Sequence, residues 1–214
     1  MMEIWLKQVA PTYLEPAKTA GSAVWNNDVV FRPGERIQIV APSGTGKTSL
    51  MHFLYGIRRD HDGQVLYNGN DIKKFSTEDF SSFRKNKISI VFQDLRLFGE
   101  QTVLQNIEVK RQLDPFHSQS KIDEMANRLG IGSRLSRIAK TCSYGEQQRV
   151  SIIRALQQPF DFLLLDEPFS HLDDNNRKLA MELINEEVQS RKACVILADL
   201  KQTEFYRSDK LLNL

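Results

Sequence analysis

The chain has 214 residues, 41% of them hydrophobic and 26% charged, which fits one globular domain or one domain with a small subdomain. Its formal charge of +2 gives no reason to expect nucleic acid as a partner. The sequence contains no apolar run of about eighteen residues, as a membrane-spanning helix requires, and no secretory leader pattern at its N-terminus. Cys142 and Cys194 lack metal-ligand spacing and are predicted to be free thiols. We therefore expect a cytoplasmic protein.

Residues 1–40 are predicted to be a region of β structure interrupted by a turn-rich loop. Glu3–Val9 alternates in polarity and Val24–Phe31 resembles a second strand, with prolines and glycine between them. Tyr13 stands in this loop. Its ring has two open interpretations, an adenine-stacking residue or an aromatic side chain that packs on the surface. Trp25 is predicted to belong to the core.

A glycine-rich loop follows the predicted strand Ile37–Val40 and precedes a helix that begins near Ser49. The loop consists of Ala41, Pro42, Ser43, Gly44, Thr45, Gly46, Lys47 and Thr48. A strand, a loop of this kind and a helix form a phosphate-binding P-loop, in which backbone N–H groups converge on an anion. Lys47 would reach the β- and γ-phosphates of a nucleotide, and Thr48 would coordinate Mg²⁺. Ala41 replaces the first glycine of the pattern, which is acceptable where no positive φ is needed.

The middle of the chain contains a further strand and a helical segment. Ile88–Phe92 is predicted to be a buried strand, and Gln93 follows it directly. Ligands of open α/β sheets lie at the carboxyl ends of the strands, which places Gln93 where it could contact a metal ion or the attacking water. Residues of about 95–142 show a helical pattern without an extended strand pattern, and we interpret them as a helical insertion.

An apolar run, Phe162–Leu165, ends in Asp166 and Glu167 and predicts a buried parallel strand with two carboxylates at its end. Asp166 would bind Mg²⁺, directly or through water, and Glu167 would polarise the water that attacks the γ-phosphate. Upstream, Ser143 and Glu146 precede an amphipathic helix, a pattern that a helix cap explains by itself.

Taken together, these motifs resemble those of an ATP-binding cassette (ABC) ATPase, the nucleotide-binding subunit of a membrane transporter. The resemblance runs in family order from about Tyr13 to about Leu200. It implies that Gln93 is the Q-loop glutamine and that residues 170–173 form the D-loop. It also implies that residues 142–146 are the signature motif, which in this family closes on the ATP held by a second cassette. Residues 92–98 and 102–107 are similar to ATPases of the lipoprotein-releasing, macrolide-exporting and cell-division type.

The chain departs from the family pattern at two sites. In the signature motif Cys142 replaces leucine and Tyr144 replaces the first glycine, while Ser143 and Gly145 remain available for the γ-phosphate of the other subunit. Leu200 stands at the position of the switch histidine, and leucine cannot hydrogen-bond a phosphate or orient water. Slow hydrolysis is therefore one expectation from the sequence.

The predicted fold is an α/β P-loop NTPase core with a mainly parallel sheet, an N-terminal antiparallel β subdomain and a helical insertion, all in one domain over 1–214. The predicted function is that of an ATP-binding, ATP-hydrolysing subunit that powers a membrane transporter by nucleotide-driven dimerisation. A degenerate cassette that binds ATP as a regulatory or structural subunit is the alternative. The resemblance implies ATP and Mg²⁺ as cofactors. It implies an integral membrane subunit and a second cassette, identical or different, as partners, and a peripheral location on the cytoplasmic face of the membrane.

The residues expected to bind nucleotide are those of the loop 41–48 together with Ser49, Tyr13, Ser143, Gly145 and Glu146. Glu167 and Gln93 are the expected catalytic residues, and Thr48, Gln93 and Asp166 are the expected metal ligands.

Overall fold

The computed structural model describes residues 2–203 and 206–214. The strands in this part of the chain are β1 (Ile4–Pro11), β2 (Val29–Phe31), β3 (Arg36–Val40), β4 (His61–Tyr67), β5 (Asn70–Asp71), β6 (Ile88–Val91), β7 (Phe162–Asp166), β8 (Cys194–Asp199) and β9 (Lys210–Asn213). Its α-helices are α1 (Pro16–Thr19), α2 (Lys47–Leu54), α3 (Thr77–Asn86), α4 (Val103–Arg111), α5 (Gln119–Arg128), α6 (Tyr144–Ala155) and α7 (Asp174–Arg191). Short 3₁₀ helices cover Ile72–Lys74, Gly132–Arg134 and Ala139–Thr141.

The strands form two sheets. The larger is parallel, in the order β6-β7-β8-β3-β9, and the smaller is antiparallel, in the order β2-β1-β4-β5. The strand that precedes the glycine-rich loop and the strand that ends in Asp166 lie on opposite sides of β8. Their carboxyl ends therefore meet at one edge of the sheet, as the α/β prediction requires. The predicted fold class is confirmed.

Two hydrophobic clusters cover the two faces of the parallel sheet. Along β7, Phe162 and Leu164 belong to the cluster shared with α2 and the antiparallel sheet. Leu163 and Leu165 belong to the cluster shared with α4, α5, α6 and α7. Successive side chains of a strand point to opposite faces, so a strand covered on both faces must be apolar throughout. This explains the unbroken apolar run ahead of Asp166.

The antiparallel region differs from the predicted boundary of 1–40. β3 belongs to the parallel sheet, and two strands of the antiparallel sheet, β4 and β5, follow the P-loop helix in sequence. Long-range pairing decides sheet membership, and local sequence pattern does not record it. The strand expected over Val24–Phe31 is also shorter, because the Ser22 hydroxyl accepts hydrogen bonds from the backbone N–H groups of Val24 and Trp25 and forms a turn there.

The helical insertion contains α4 and α5, each with a side-chain cap. Thr102 and Gln105 form a reciprocal capping box at the start of α4, and Ser118 caps α5. The buried side chains of both helices pack into the cluster that α6 and α7 line. The insertion is thus anchored on one face of the parallel sheet, and both cysteines are free and buried, as predicted.

Candidate nucleotide site

The glycine-rich loop connects β3 to α2 and takes a conformation that its glycines permit. Gly44 and Gly46 have φ values of 82° and 101°, in the left-handed region that favours glycine. A β-carbon on Gly46 would lie 3.1 Å from the Trp25 ring and 3.2 Å from the Leu14 side chain. The indole N–H of Trp25 donates to the carbonyl of Thr45 at 3.1 Å. Trp25 is buried in the core, as predicted, and it also supports the glycine-rich loop, a role that the sequence did not indicate.

The first residues of the loop are held by β8 and by each other. Ala41 is buried, does not have a positive φ, and donates its N–H to the carbonyl of Asp199 at 3.2 Å. This conformation explains why alanine can replace glycine there. The Thr45 hydroxyl donates to the Pro42 carbonyl at 2.8 Å and closes the turn.

Lys47 is buried among acceptors. Its Nζ donates to the carbonyl oxygens of Ala41 and Pro42 at 2.9 and 3.0 Å and lies 3.4 Å from Oε1 of Glu167. Its side chain is only 5% exposed. The ammonium group is therefore fixed at the loop, between the backbone that would surround a phosphate and the acid at the end of β7.

Glu167 has an unusual backbone conformation. Its φ is 45°, in the left-handed region, where a residue with a side chain is strained. Its N–H donates to the carbonyl of Ala198 in β8 at 2.9 Å, and its own carbonyl accepts from Gln148 Nε2 at 3.3 Å. The strained turn directs the carboxylate away from β7 and toward Lys47 and the cavity beside the loop.

Asp166 lies beneath the loop with an unsatisfied carboxylate. It is 1% exposed, and neither of its side-chain oxygens has a hydrogen-bond partner within 2–203 and 206–214. Burial raises the pKa of the Asp166 carboxyl to about 6; the nearby Thr48 hydroxyl opposes this rise, and the charge of Glu167 adds to it. The neighbouring Thr48 hydroxyl donates to Oε1 of Gln93 at 3.1 Å.

These oxygen groups fit Mg²⁺. A buried carboxylate without a partner has a free-energy cost that a cation would remove, and hydroxyl and amide oxygens are the hard ligands that Mg²⁺ accepts. No cluster of three or more His, Cys, Asp or Glu side chains that could hold a metal occurs in the described parts of the chain. A single carboxylate agrees with Mg²⁺ sites in which substrate phosphates and water complete the coordination.

A cavity of about 290 Å³ lies over the loop. Predicted site residues from four segments line it, namely Tyr13, Ser43, Gly44, Gly46, Lys47, Thr48, Ser49, Gln93 and Glu167. Leu14 and Arg58, which the sequence reasoning did not select, line it as well. Tyr13 is 48% exposed, and its hydroxyl is hydrogen-bonded to that of Ser49. The cavity is thus lined by most of the predicted phosphate-binding residues, by the predicted metal ligands Thr48 and Gln93 and by Tyr13, whereas Asp166 does not line it.

The signature segment does not line this cavity. Ser143 caps α6 by accepting from the N–H of Glu146 at 3.3 Å, and the Glu146 carboxylate accepts from the N–H of Ser143 at 2.8 Å. Arg134 Nε donates to the same carboxylate at 2.8 Å, and these bonds lower the pKa of Glu146. Within one chain, Ser143 and Glu146 therefore form the reciprocal helix cap that the sequence allowed as an alternative.

Tyr144 and Gly145 face the D-loop. The Tyr144 ring packs on the ring of His171 with centroids 4.2 Å apart, and its hydroxyl donates to the carbonyl of Gln93 at 3.4 Å. A β-carbon on Gly145 would lie 2.9 Å from the carbonyl oxygen of His171, so the remaining glycine of the signature is needed for close packing. Leu200 is 46% exposed and shares a different cavity, of about 500 Å³, with Glu167.

The family comparison matches residues 25–170 of the chain to the family described as ABC transporter. This match includes the P-loop, Gln93, the signature segment and both acids at the end of β7.

This chain belongs to the ABC transporter family.

Relatives of known name agree with this assignment. The cassette is 37% identical over 161 residues to the lipoprotein-releasing system ATP-binding protein LolD of Syntrophotalea carbinolica, covering 74% of this chain and 71% of that protein. It is 33% identical over 162 residues to the macrolide export ATP-binding/permease protein MacB of Nitrosomonas europaea, covering 74% of this chain but only 25% of that longer protein. The predicted resemblance to ATPases of this type is confirmed.

Solved structures show the same fold. The ABC transporter cassette MJ0796, described as dimeric, has a TM-score of 0.80 at 23% identity, covering 98% of this chain and 94% of its own. A putative ABC transporter ATP-binding protein from Pyrococcus furiosus has a TM-score of 0.78 at 18% identity, covering 99% of this chain and 97% of that chain.

The family and its relatives confirm the predicted ATP-binding, ATP-hydrolysing function in transport and give the degenerate alternative no support. In the described residues of this cassette, no helix is long and apolar enough to cross a membrane.

Proposed function

We propose that the cassette binds Mg-ATP at the loop between β3 and α2 and hydrolyses it with Glu167 as the residue that polarises the attacking water. The observation that carries this proposal is the convergence of Lys47, Glu167 and the unpaired Asp166 carboxylate at one edge of the sheet. The backbone of residues 43–46 and the Lys47 ammonium bind the phosphates, and Thr48, Gln93 and Asp166 hold the metal ion. When bound there, Mg²⁺ neutralises charge that develops on the phosphate oxygens.

Glu167 has to change partners during this reaction. Its carboxylate lies 3.4 Å from the Lys47 ammonium, which also donates to two carbonyl groups. A bound phosphate competes for the same ammonium, and the carboxylate is then free to accept a hydrogen bond from water. The strained backbone at Glu167 keeps the acid at the end of β7 throughout.

Closure of two cassettes completes the site in this proposal. Ser143 and Gly145 lie outside the nucleotide cavity of their own chain, so they would contact the γ-phosphate of a nucleotide held by a second cassette. The two cassettes are identical or different, and both arrangements fit the exposed signature segment. Nucleotide shifts the population toward the closed dimer because the contacts of Ser143 and Gly145 with the γ-phosphate of the second cassette exist only there.

The helical insertion supplies the contact with an integral membrane subunit on the cytoplasmic face. The sequence relationship with MacB, whose name combines an ATP-binding part with a permease, supports this partner. Exposed apolar side chains are present on the insertion, including Val109, Leu113 and Phe116. The cassette would be a peripheral protein held at the membrane by that subunit.

The test is steady-state Mg-ATPase activity of the purified chain beside Glu167→Gln, with size-exclusion chromatography of both in ATP. We expect the variant to lose turnover by about 100- to 1,000-fold while still binding ATP, since positioned acid–base groups contribute on that scale. It should also accumulate as an ATP-dependent dimer. Glu35→Gln changes a half-buried acid that pairs with Lys210 and does not line the nucleotide cavity; it is the matched control and should keep wild-type turnover.

Two results would contradict the proposal. Equal turnover of Glu167→Gln and wild type would remove Glu167 from catalysis. Absence of turnover in the wild type, alone and with its membrane partner added, would favour the alternative of a regulatory cassette.

A further inference from the structure

Arg58 is a cation in the nucleotide cavity that the P-loop pattern does not account for. It follows α2 in the chain, and its guanidinium carbon lies 4.6 Å from the centroid of the Tyr13 ring. Its Nη1 donates to the Ser49 hydroxyl at 3.2 Å and to the Tyr13 hydroxyl at 3.4 Å. Because the Tyr13 and Ser49 hydroxyls are also bonded to each other, the three side chains form one connected group.

Asp60 holds the other side of the guanidinium. Nε of Arg58 donates to Oδ1 of Asp60 at 2.9 Å, and Nη2 donates to Oδ2. The backbone carbonyl of Asp60 accepts from both the N–H and the hydroxyl of Thr12, each at 3.1 Å. The loop that carries Tyr13 is therefore attached to the turn after α2 through its backbone and through the Arg58 side chain.

This arrangement restricts the Tyr13 ring before any ligand arrives. An exposed aromatic side chain loses rotamer freedom when a base stacks on it, and that loss opposes binding. The cation over the ring removes part of this loss in advance, and Tyr13 remains 48% exposed, which leaves ring surface for a base. The charge of Arg58 is itself engaged by the two oxygens of Asp60, which separates it from the phosphate-binding cations.

We propose that Arg58 is a positioning residue for base recognition, which fixes the Tyr13 ring so that its exposed surface receives the adenine of ATP. This inference rests on the proposed function, because it requires that the cavity over the P-loop binds ATP. It goes further in assigning the base contact to a four-residue network, Tyr13, Ser49, Arg58 and Asp60.

The experiment compares ATP with inorganic tripolyphosphate, which has the phosphates and lacks the base. Affinities of the full chain for both are measured by isothermal titration calorimetry. Arg58→Ala should weaken ATP binding by about three- to fivefold, the scale of an exposed cation–π contact, and leave tripolyphosphate binding unchanged. Arg58→Lys keeps the charge but not the planar fork and should show the same loss.

A neighbouring arginine provides the matched control. Arg59 lies over the ring of Phe80 at 4.8 Å and does not line the nucleotide cavity. Arg59→Ala removes the same charge from the same turn and should leave both affinities at the wild-type value. The double variant Tyr13→Ala/Arg58→Ala should bind ATP no more weakly than Tyr13→Ala alone, because a residue that acts through Tyr13 has nothing to position once the ring is absent.

Several outcomes would overturn the inference. If Arg58→Ala lost the same affinity for ATP and for tripolyphosphate, Arg58 would act as a charge that attracts phosphate. Wild-type ATP affinity in Arg58→Lys would lead to the same conclusion. Additive losses in the double variant would mean that Arg58 acts independently of Tyr13. A wild-type chain that binds ATP and tripolyphosphate equally well would remove base recognition while leaving the phosphate site intact. A chain that binds neither would overturn the proposed function itself.

Discussion

The two segments that are predicted to contact phosphate differ in how their polar groups are satisfied. At the P-loop, the buried Asp166 carboxylate has no partner in the described residues, and Lys47 is held by backbone carbonyls and one acid. At the signature segment, Ser143 and Glu146 satisfy each other, and Arg134 adds a further bond to the carboxylate. The end of β7 beside the P-loop therefore has a carboxylate without a hydrogen-bond partner, whereas Ser143 and Glu146 of the signature segment are hydrogen-bonded to each other.

This difference indicates which steps a single chain can carry out. An unpaired buried carboxylate is costly, so a cation that pairs with it lowers the free energy at the end of β7, and this gain favours binding although Lys47 and Thr48 exchange hydrogen bonds there. A phosphate that approaches Ser143 must share or replace the bond that caps α6. We therefore expect one chain to bind nucleotide by itself, whereas closure on a second cassette would have to weaken the cap of α6.

The largest predicted effect comes from removing the unpaired charge. Asp166→Asn should reduce Mg-ATPase activity by at least about 100-fold, since a ligand of the metal is lost. In metal-free buffer at pH 7.5 the same variant should unfold at higher urea. The native pKa of about 6, above the ordinary 3.8, means that stability is lost as pH rises through this range. The gain at pH 7.5 is about 2 to 3 kcal/mol.

The pH series gives this prediction its control. At pH 5 the gain should be about 1 kcal/mol smaller, because the wild-type carboxyl is then mostly protonated in the native state. Asp161→Asn, at the other end of β7 where Asp161 pairs with Lys87, should change neither activity nor stability by a comparable amount. A stability gain that is independent of pH would contradict the burial of a charged Asp166.

The next effect concerns the missing histidine. Leu200 shares a cavity with Glu167, so an imidazole placed there could reach the same region. Leu200→His should raise turnover by about tenfold, a modest share of what a positioned acid–base group can contribute. Leu200→Asn is the control that adds polarity without an imidazole and should give a smaller gain. No gain with histidine in the rate assay would mean that another group already performs this role.

A smaller effect is expected at Tyr144. The ring must leave His171 or move with it before the signature segment can approach a phosphate closely. In the Glu167→Gln background, Tyr144→Gly should lower the ATP concentration for half-maximal dimerisation by about threefold to fivefold, the scale of one aromatic pair. Analytical ultracentrifugation measures the dimer fraction. Tyr144→Phe keeps the ring contact and should behave as the parent, and a rise in the midpoint for glycine would show that the ring supports closure.

The smallest predicted effect concerns Ser143, which caps α6 in the signature segment. Ser143→Ala removes the cap of α6 and should lower the free energy of unfolding by about 1 kcal/mol in urea. Ser143→Asp keeps a capping oxygen and should restore most of that stability. If Ser143→Ala had the same free energy of unfolding as the wild type, the Ser143 hydroxyl would not stabilise α6. The contrast between the two segments would then disappear.

Much of the site could be predicted because its determinants are local. The P-loop depends on glycines at fixed spacing after a strand, and the acids follow an apolar run whose length and composition are typical of a strand buried on both faces. Placing Gln93, Asp166 and the loop together required only that parallel strands end at one edge of a sheet. The capping alternative for Ser143 and Glu146 was likewise readable from spacing alone.

The remainder depends on contacts between distant parts of the chain. β4 pairs with β1 across the whole P-loop segment, and β5 joins the antiparallel sheet by pairing with β4. The support of the Thr45 carbonyl by Trp25 and the contact of Arg58 with Tyr13 are equally non-local. A tryptophan has an indole N–H that needs an acceptor when buried, which is the one signal that could have indicated its role.

β8 is hydrogen-bonded on both sides to strands that lead into the candidate site. The carbonyl of Ala198 accepts from the N–H of Glu167, and the carbonyl of Asp199 accepts from that of Ala41. Two adjacent residues of one strand thus fix the backbone positions of Glu167 and of Ala41, the first residue of the phosphate loop. Because the backbone spacing within a strand is fixed, a displacement of β8 would carry the acid and the start of the phosphate loop together, so their separation would depend on one strand and not on the packing of two.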